Sequence, residues 1–295
     1  MMTMQSTNPE GSTVKIGLPK GHIQENVFEL LRDANIDIHH HHRNYRPTFS
    51  MEGFEAKILK PQSVAKMVEA GSRDLGFTGA DWVAELEADI VEVLDTGLDQ
   101  VRLVAAAPES MVEDGTLPDR SLTVAAEYER LAGEWLQSRA LEGAVVQSYG
   151  ATEVFPPEDA DVIVDVAQTG RTLRANDLEI VDELMTSSTR LYANPAALDD
   201  PVKADAIERF RLLIQSVLDG RRRVMLEVNV ASDKLDAVVD ALPAMRKPTV
   251  APLHSEEGYA VKAAVPKDQV TELVPELKRA GGTDIVITDF SQIVA

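Results

Sequence analysis

Residues 161–178, DVIVDVAQTGRTLRANDL, place an acid-bracketed apolar run directly before a small-residue turn and a helical pattern. The run has the composition of a central parallel strand, and Asp165 stands near its carboxyl end, where such strands carry function. Gly170 lets the backbone approach an anion closely, and Thr169 and Thr172 add hydroxyl donors. The helix that follows Arg171 presents free N–H groups with a favourable dipole. Asp165 is placed to accept hydrogen bonds from sugar hydroxyls beside that anion, so the segment suits a sugar phosphate. Read alone, it is equally a strand-to-helix turn with two capping threonines.

Other residues offer charge. Lys20 sits in a Pro-Lys-Gly turn after the first apolar run, as a point charge for phosphate or as a solvated surface lysine. Arg46 precedes Pro47, and Arg102 lies inside an apolar run, where a buried guanidinium must meet an acid or a substrate. Gly76, Thr78 and Gly79 close another apolar run, and Asp81 then opens a helix as an N-cap or as a nucleotide contact. Histidines at 39, 40, 41 and 42 form a run that could chelate a metal, but no cysteine or carboxylate stands at ligand spacing. A solvated loop or edge strand is the expectation there. Neither G-x-G-x-x-G nor G-x-x-x-x-G-K-[ST] occurs.

The elements that would hold these residues alternate. Strands are expected at 14–18, 54–59, 75–78, 101–107, 122–125, 145–147 and 161–166, and helices at 24–35, 63–70, 81–86 and 128–140. That alternation predicts α/β units with parallel sheets. The chain returns to its first lobe near residues 188–194, and a helix over 201–218 ends at Asp219-Gly220, the clearest domain boundary. Beyond it, strand 224–230, helix 234–241, strands 249–253 and 259–265, helix 268–280 and strand 284–288 follow a βαββαβ, ferredoxin-like plan. The expected organisation is a polar, disordered 1–13, a first lobe of 14–107 plus 186–219, a second lobe of 108–185, and a C-terminal domain of 220–295.

With 295 residues, 44% hydrophobic, the chain can bury several cores. It contains no cysteine, hence no disulfide, thiolate metal site or cysteine nucleophile. Without a long apolar stretch or a signal-peptide pattern, the expected location is cytoplasmic. A net charge of -20 disfavours nucleic acid and anionic membranes as partners. It also suits a chain working in concentrated salt, where at about 1 M the screening length shrinks to about 3 Å.

Residues 169–178 resemble the phosphoribosyl-diphosphate (PRPP) loop of the ATP phosphoribosyltransferase family, a T-G-x-T-L turn followed by A-N-x-L. The resemblance recurs in order at Gly17-Leu18-Pro19-Lys20-Gly21, Tyr45-Arg46-Pro47, Lys60-Pro61-Gln62, Asp74-Leu75-Gly76-Phe77-Thr78-Gly79-Ala80-Asp81-Trp82, Arg102-Leu103-Val104, Gly150-Ala151-Thr152-Glu153 and Ser188-Thr189-Arg190-Leu191. Lys247-Pro248-Thr249-Val250-Ala251-Pro252-Leu253 is similar to a motif in the regulatory domain of the family's long form. The resemblance implies a bilobal core like a periplasmic binding protein with an ACT-like regulatory domain. It implies attack of ATP on PRPP with Mg²⁺ present, and feedback by L-histidine. It implies dimers and a hexamer as the assembled states. In this sequence it implies catalytic roles for Lys20, Glu153 and Asp165, with Asp165 and Glu153 also facing the metal. PRPP contacts fall to Asp165, Thr169, Gly170, Arg171, Thr172 and Leu173, ATP contacts to Lys20, Gly21, Arg46, Gly79, Asp81 and Arg102, and histidine contacts to Met245, Lys247 and Thr249. Four positions depart from the family pattern: His22 replaces an arginine, Ala151 a serine, Thr152 a valine and Lys247 a serine. A bilobal solute-binding protein and a non-catalytic regulatory subunit are the competing classes.

Overall fold

All but one side chain of β1 (Val14–Pro19) are buried, because the strand has neighbours on both edges and helices over its faces. The computed structural model of the protein describes residues 13–39, 45–254 and 257–294. The disordered segment expected at 1–13 therefore lies outside the described residues except for Thr13, as do His40, His41 and His42.

After β1 come α1 (Gln24–Asp33), the two-residue strands β2 (Ile38–His39) and β3 (Thr48–Phe49), β4 (Phe54–Leu59), α2 (Pro61–Glu69), β5 (Leu75–Gly79) and α3 (Ala80–Leu86). The long β6 (Val91–Pro108) leads to β7 (Leu122–Ala126), α4 (Glu129–Ser138), β8 (Gly143–Gln147), β9 (Val162–Ala167) and α5 (Arg171–Ala175). Then β10 (Leu178–Ala193) returns the chain to α6 (Pro195–Asp199) and α7 (Pro201–Arg221). The remainder is β11 (Arg223–Ala231), α8 (Leu235–Ala241), β12 (Thr249–Pro252), β13 (Gly258–Pro266), α9 (Val270–Arg279) and β14 (Thr283–Asp289).

Among the described residues one sheet has the order β4-β1-β5-β10-β6-β9-β7-β8. Its ends are parallel triplets, β4-β1-β5 and β8-β7-β9, and its middle is the antiparallel pair β6 and β10. Each triplet with its helices is one lobe. The central parallel strand expected at 161–166 is parallel on one edge: β9 runs parallel to β7 but antiparallel to β6, because β6 carries the chain outward between lobes. The second sheet, β12-β13-β11-β14, is antiparallel and has the ferredoxin-like order, with Val224, Leu226, Val228 and Val230 facing α8 and α9 in a separate core.

The chain divides into two compact units between Arg209 and Phe210, inside α7. The helix also passes through the expected stop at Asp219-Gly220 and ends at Arg221. Gly220 serves close packing rather than a cap, since a Cβ there would stand 3.2 Å from the backbone of Gln292.

The two lobes repeat one brace. In the first, Lys15 N–H donates to Asp74 Oδ2 (2.7 Å) and Asp74 N–H to the Lys15 carbonyl (2.8 Å). In the second, Thr123 N–H donates to Asp161 Oδ2 (2.8 Å) and Asp161 N–H to the Thr123 carbonyl (2.8 Å). An acid before the third strand of each triplet thus pins that strand to the first, and each is neutralised, by Lys203 and Arg120 respectively.

Helix α2 lies tightly on β1 and β5 because Gly17 and Gly76 leave room for Val64. A Cβ at Gly76 would stand 2.4 Å from Val64 Cγ1 and 3.3 Å from the Gly17 carbonyl oxygen. Gly76→Ala is therefore expected to push α2 outward and to destabilise the protein by about 1–3 kcal/mol, read as a lowered urea midpoint at unchanged slope.

Candidate active site

The carboxyl ends of β1, β7 and β9 face a cleft of about 810 Å³ within the first unit. Parallel strands end together, so the loops that follow them meet in one place. One wall carries Lys20, Gly21 and His22 after β1, Tyr45, Lys57 from β4, and Lys60, Pro61 and Gln62 at the start of α2. Lys20 Nζ donates to Tyr45 Oη at 3.0 Å and stands 4.8 Å from the ring centroid. The Tyr45 phenol is in turn held below its usual range by that hydrogen bond and by the lysine charge.

The other wall carries Glu127 and Tyr128 after β7, Gly150, Ala151 and Thr152, and Asp165 with Val166 on β9. Asp165 is pushed up to about 6, first by burial and then by the Glu153 and Glu127 carboxylates, against the Val166 N–H that it accepts at 2.7 Å. Ala151 adopts a left-handed φ of 51° after Gly150 at 106°, and buried Thr152 exchanges a hydroxyl hydrogen bond with Ser148 at 2.8 Å. This strained corner brings Glu153 within electrostatic reach of Asp165.

Beyond Asp165 the turn is built as the sequence suggests. Gly170 has a φ of 67° and opens α5, and Arg174 folds beneath it to donate to the Thr169 carbonyl at 2.9 Å. Thr169, Arg171 and Thr172 are exposed, whereas the Leu173 side chain is buried in the second-lobe core with Ile163 and Ala167. Any ligand contact at Leu173 is thus by its backbone. The lining of the cleft reaches Asp165 and Val166 and stops short of the turn.

Other expected contacts are dispersed. Arg46 is exposed and outside the lining. Arg102 pairs with Glu183 at 3.2 Å and lines a neighbouring depression of about 410 Å³ with Gln168 and Arg190. Gly79 caps α3 by backbone geometry, so Asp81 is not the N-cap. Asp81 is buried instead, with Oδ1 accepting from Ser187 Oγ at 2.7 Å and Oδ2 from Tyr128 Oη at 2.5 Å. Burial and the adjacent carboxylate push the Tyr128 phenol far up, so it stays the donor. Met245, Lys247 and Thr249 are exposed around the start of β12.

Sequence reasoning missed Glu127, Tyr128 and Lys57 as cleft residues, and left Trp82 as part of a quoted motif. The usable signal for Glu127 was the one used for Asp165, an acid at the carboxyl end of a buried strand. Among the described residues no three carboxylates or imidazoles converge as a metal cage. Asp165 and Glu153 still fit a cation held mostly by ligand oxygens, because the Glu153 carboxylate helps push the Asp165 carboxyl up and a cation there would offset that repulsion.

Residues 60–216 match the profile of the family described as ATP phosphoribosyltransferase, and residues 220–292 match that described as HisG, C-terminal domain. An ATP phosphoribosyltransferase of Chlorobium phaeovibrioides is 36% identical over 286 residues, covering 95% of this chain and 97% of its own. One from Desulforudis audaxviator is 35% identical over 286 residues, covering 95% and 99%. Among solved structures, the ATP phosphoribosyl transferase (HisG:HisZ) complex from Thermotoga maritima has a TM-score of 0.61 at 24% identity, covering 69% of this chain and 97% of that one, a likeness of fold.

The environment of Asp165 has a consequence for stability. Its carboxyl titrates near 3.8 when unfolded and at about 6 in the fold, so the fold favours the neutral form. That contribution is complete below pH about 4 and is lost as pH rises through about 6. Asp165→Asn, which cannot ionise, is expected to raise stability by on the order of 1–3 kcal/mol above pH about 7 and to leave it unchanged near pH about 4, measured by urea unfolding at both.

Proposed function

The chain belongs to the ATP phosphoribosyltransferase family, and we propose that the cleft described above is where it carries out that family's reaction. It is a pentosyltransferase of the first step of histidine biosynthesis. N1 of the ATP adenine attacks C1 of PRPP, the C1–O bond breaks, and its electron pair leaves with pyrophosphate, giving phosphoribosyl-ATP. A transition state of oxocarbenium character asks the protein to align two anions, to neutralise the leaving group and to exclude water.

One observation above all supports this assignment: Lys20 at the end of β1 and Asp165 on β9 line the same cleft from opposite walls. Asp165 accepts from the ribose hydroxyls, and the backbone N–H groups of Thr169, Gly170, Arg171, Thr172 and Leu173 hold the 5-phosphate. Lys20 and the Gly21 backbone meet phosphate from the opposite wall, with His22 beside them as a weaker donor than an arginine. Arg46 and Arg102 lie outside the lining, so nucleotide contacts there require the polyphosphate to extend past the wall. Gly79 and Asp81 act from beneath it. Asp165 and Glu153 are the residues that would hold a magnesium ion arriving with the substrates, and such an ion would supply charge neutralisation for the departing pyrophosphate.

The reading is tested by pyrophosphate release that depends on both ATP and PRPP. Gly170→Val, whose Cβ would already stand 3.2 Å from Arg174 Nη1 at a left-handed φ, removes the close backbone approach. It is expected to lower kcat/KM for PRPP roughly ten- to a hundredfold, about 1.5–3 kcal/mol. PRPP kinetics like wild type in a folded variant refute the role of the turn.

The C-terminal unit supports a long-form enzyme, assembled as dimers and a hexamer and restrained by free histidine through Met245, Lys247 and Thr249. Lys247, where the long form has serine, repels the ligand's ammonium group. Inhibition by histidine is therefore expected to be weak and to strengthen in Lys247→Ser. An activity titration with histidine in both proteins decides it, and no inhibition in either removes the sensing role.

A further inference from the structure

Helices α3 and α4 come from different lobes, yet each closes the open end of the other. Glu85, in the last turn of α3, accepts Arg130 N–H at 2.9 Å on Oε1 and Leu131 N–H at 3.0 Å on Oε2, satisfying two orphan donors in the first turn of α4. Arg130 reaches back from α4, donating from Nε to the Glu85 carbonyl at 3.0 Å and from Nη2 to the Ala84 carbonyl, which also accepts the Glu87 N–H that caps α3 at 3.1 Å. The carboxylate thus meets the positive end of one helix dipole and the guanidinium the negative end of the other. Neither residue lines the cleft, but their neighbours do. Trp82, one turn before Glu85, stacks on Tyr128 at 4.6 Å between centroids and packs against the core of the second lobe. Glu127 and Tyr128 immediately precede α4, and Tyr128 reaches Asp81 beside Trp82.

We propose that Glu85 and Arg130 are positioning residues, a reciprocal helix-end clasp that sets where Trp82, Glu127 and Tyr128 stand in the cleft. The inference rests on the cleft being the site of phosphoribosyl transfer. Two carbonyls and two amides fix both the distance and the rotation between the helices, which a single ion pair would not. Glu127 then faces Asp165 from a fixed backbone, and Trp82 and Tyr128 close that end of the cleft to water.

Three variants are read against the parent in a Trp135→Phe background, where Trp82 is the one remaining indole of two. Glu85→Ala removes both acceptors and Glu85→Gln keeps one uncharged acceptor. Arg130→Lys keeps the charge but loses the fork. Expected for Glu85→Ala is a fall in kcat of about ten- to a hundredfold with both KM values within threefold, because alignment rather than binding is lost. Glu85→Gln should lie between it and the parent. Acrylamide quenching of Trp82 without substrates should rise in the same order. A purely structural clasp would lower the unfolding temperature while kcat stays within twofold of the parent, and that result overturns the proposal. Should Glu85→Ala fail to fold, Arg130→Lys carries the same expectation and the same refutation. A parent that releases no pyrophosphate from ATP and PRPP refutes the reaction itself and is told apart at once, since Trp82 quenching reads the clasp without turnover.

Discussion

The pairing of β6 with β10 is the constraint on which the rest depends. These strands, of 18 and 16 residues, run antiparallel from Val91 opposite Ala193 to Pro108 opposite Leu178. Because both are long, one end of the ladder belongs to the first lobe and the other to the second. Among the described residues this ladder is the main-chain pairing that joins one parallel triplet to the other. The ladder is bulged, with register shifts between Ile180 and Asp182, Glu183 and Met185, and Ser187 and Thr189. Bulges bend and twist a strand locally, so the two triplets are turned toward one cleft instead of forming a flat sheet. Hydroxyls repair the ladder where it is irregular: Thr96 Oγ1 donates to the Thr189 carbonyl, Ser188 Oγ to Asp95 at 2.8 Å and Thr189 Oγ1 to Asp99 at 2.7 Å.

The cleft has a polarity that follows from this geometry. Lys20, Lys57 and Lys60 line one wall, and Glu127 and Asp165 the other. A chain with a net charge of -20 can therefore receive anions, since at short range the local donors outweigh the distant surface field. The acidic wall carries its own cost, visible in the raised Asp165 carboxyl, and a substrate-borne cation would offset it. The same acid type serves elsewhere as scaffold: Asp74 and Asp161 brace strands, and Asp81 holds two hydroxyls in the interior. Residue type alone does not separate these uses; burial and partners do.

Periodicity and local composition determined much of this protein. The apolar runs at 54–59 and 75–78, the helix beginning at 24, the Gly170 turn between an acid-bearing strand and a helix, and the βαββαβ tail were legible because each depends on neighbours in sequence. Tertiary structure decided what depends on partners distant in sequence. Expected strand 101–107 covers the C-terminal part of β6, whose first half carries acids that find hydroxyl and arginine partners on β10 some ninety residues away. Gly220 reads as a helix stop, yet it stays helical where Gln292 packs against it. Asp81 reads as a cap, but a serine 106 residues on and a tyrosine 47 residues on claim its oxygens. Arg102 reads as a cation that must meet an acid or a substrate, and Glu183 on the paired strand is the acid beside it. The physical reason is the same in each case. Backbone preference and amphipathic period are local energies, whereas the partner of a charge or a buried polar group is chosen by which strands the fold places side by side.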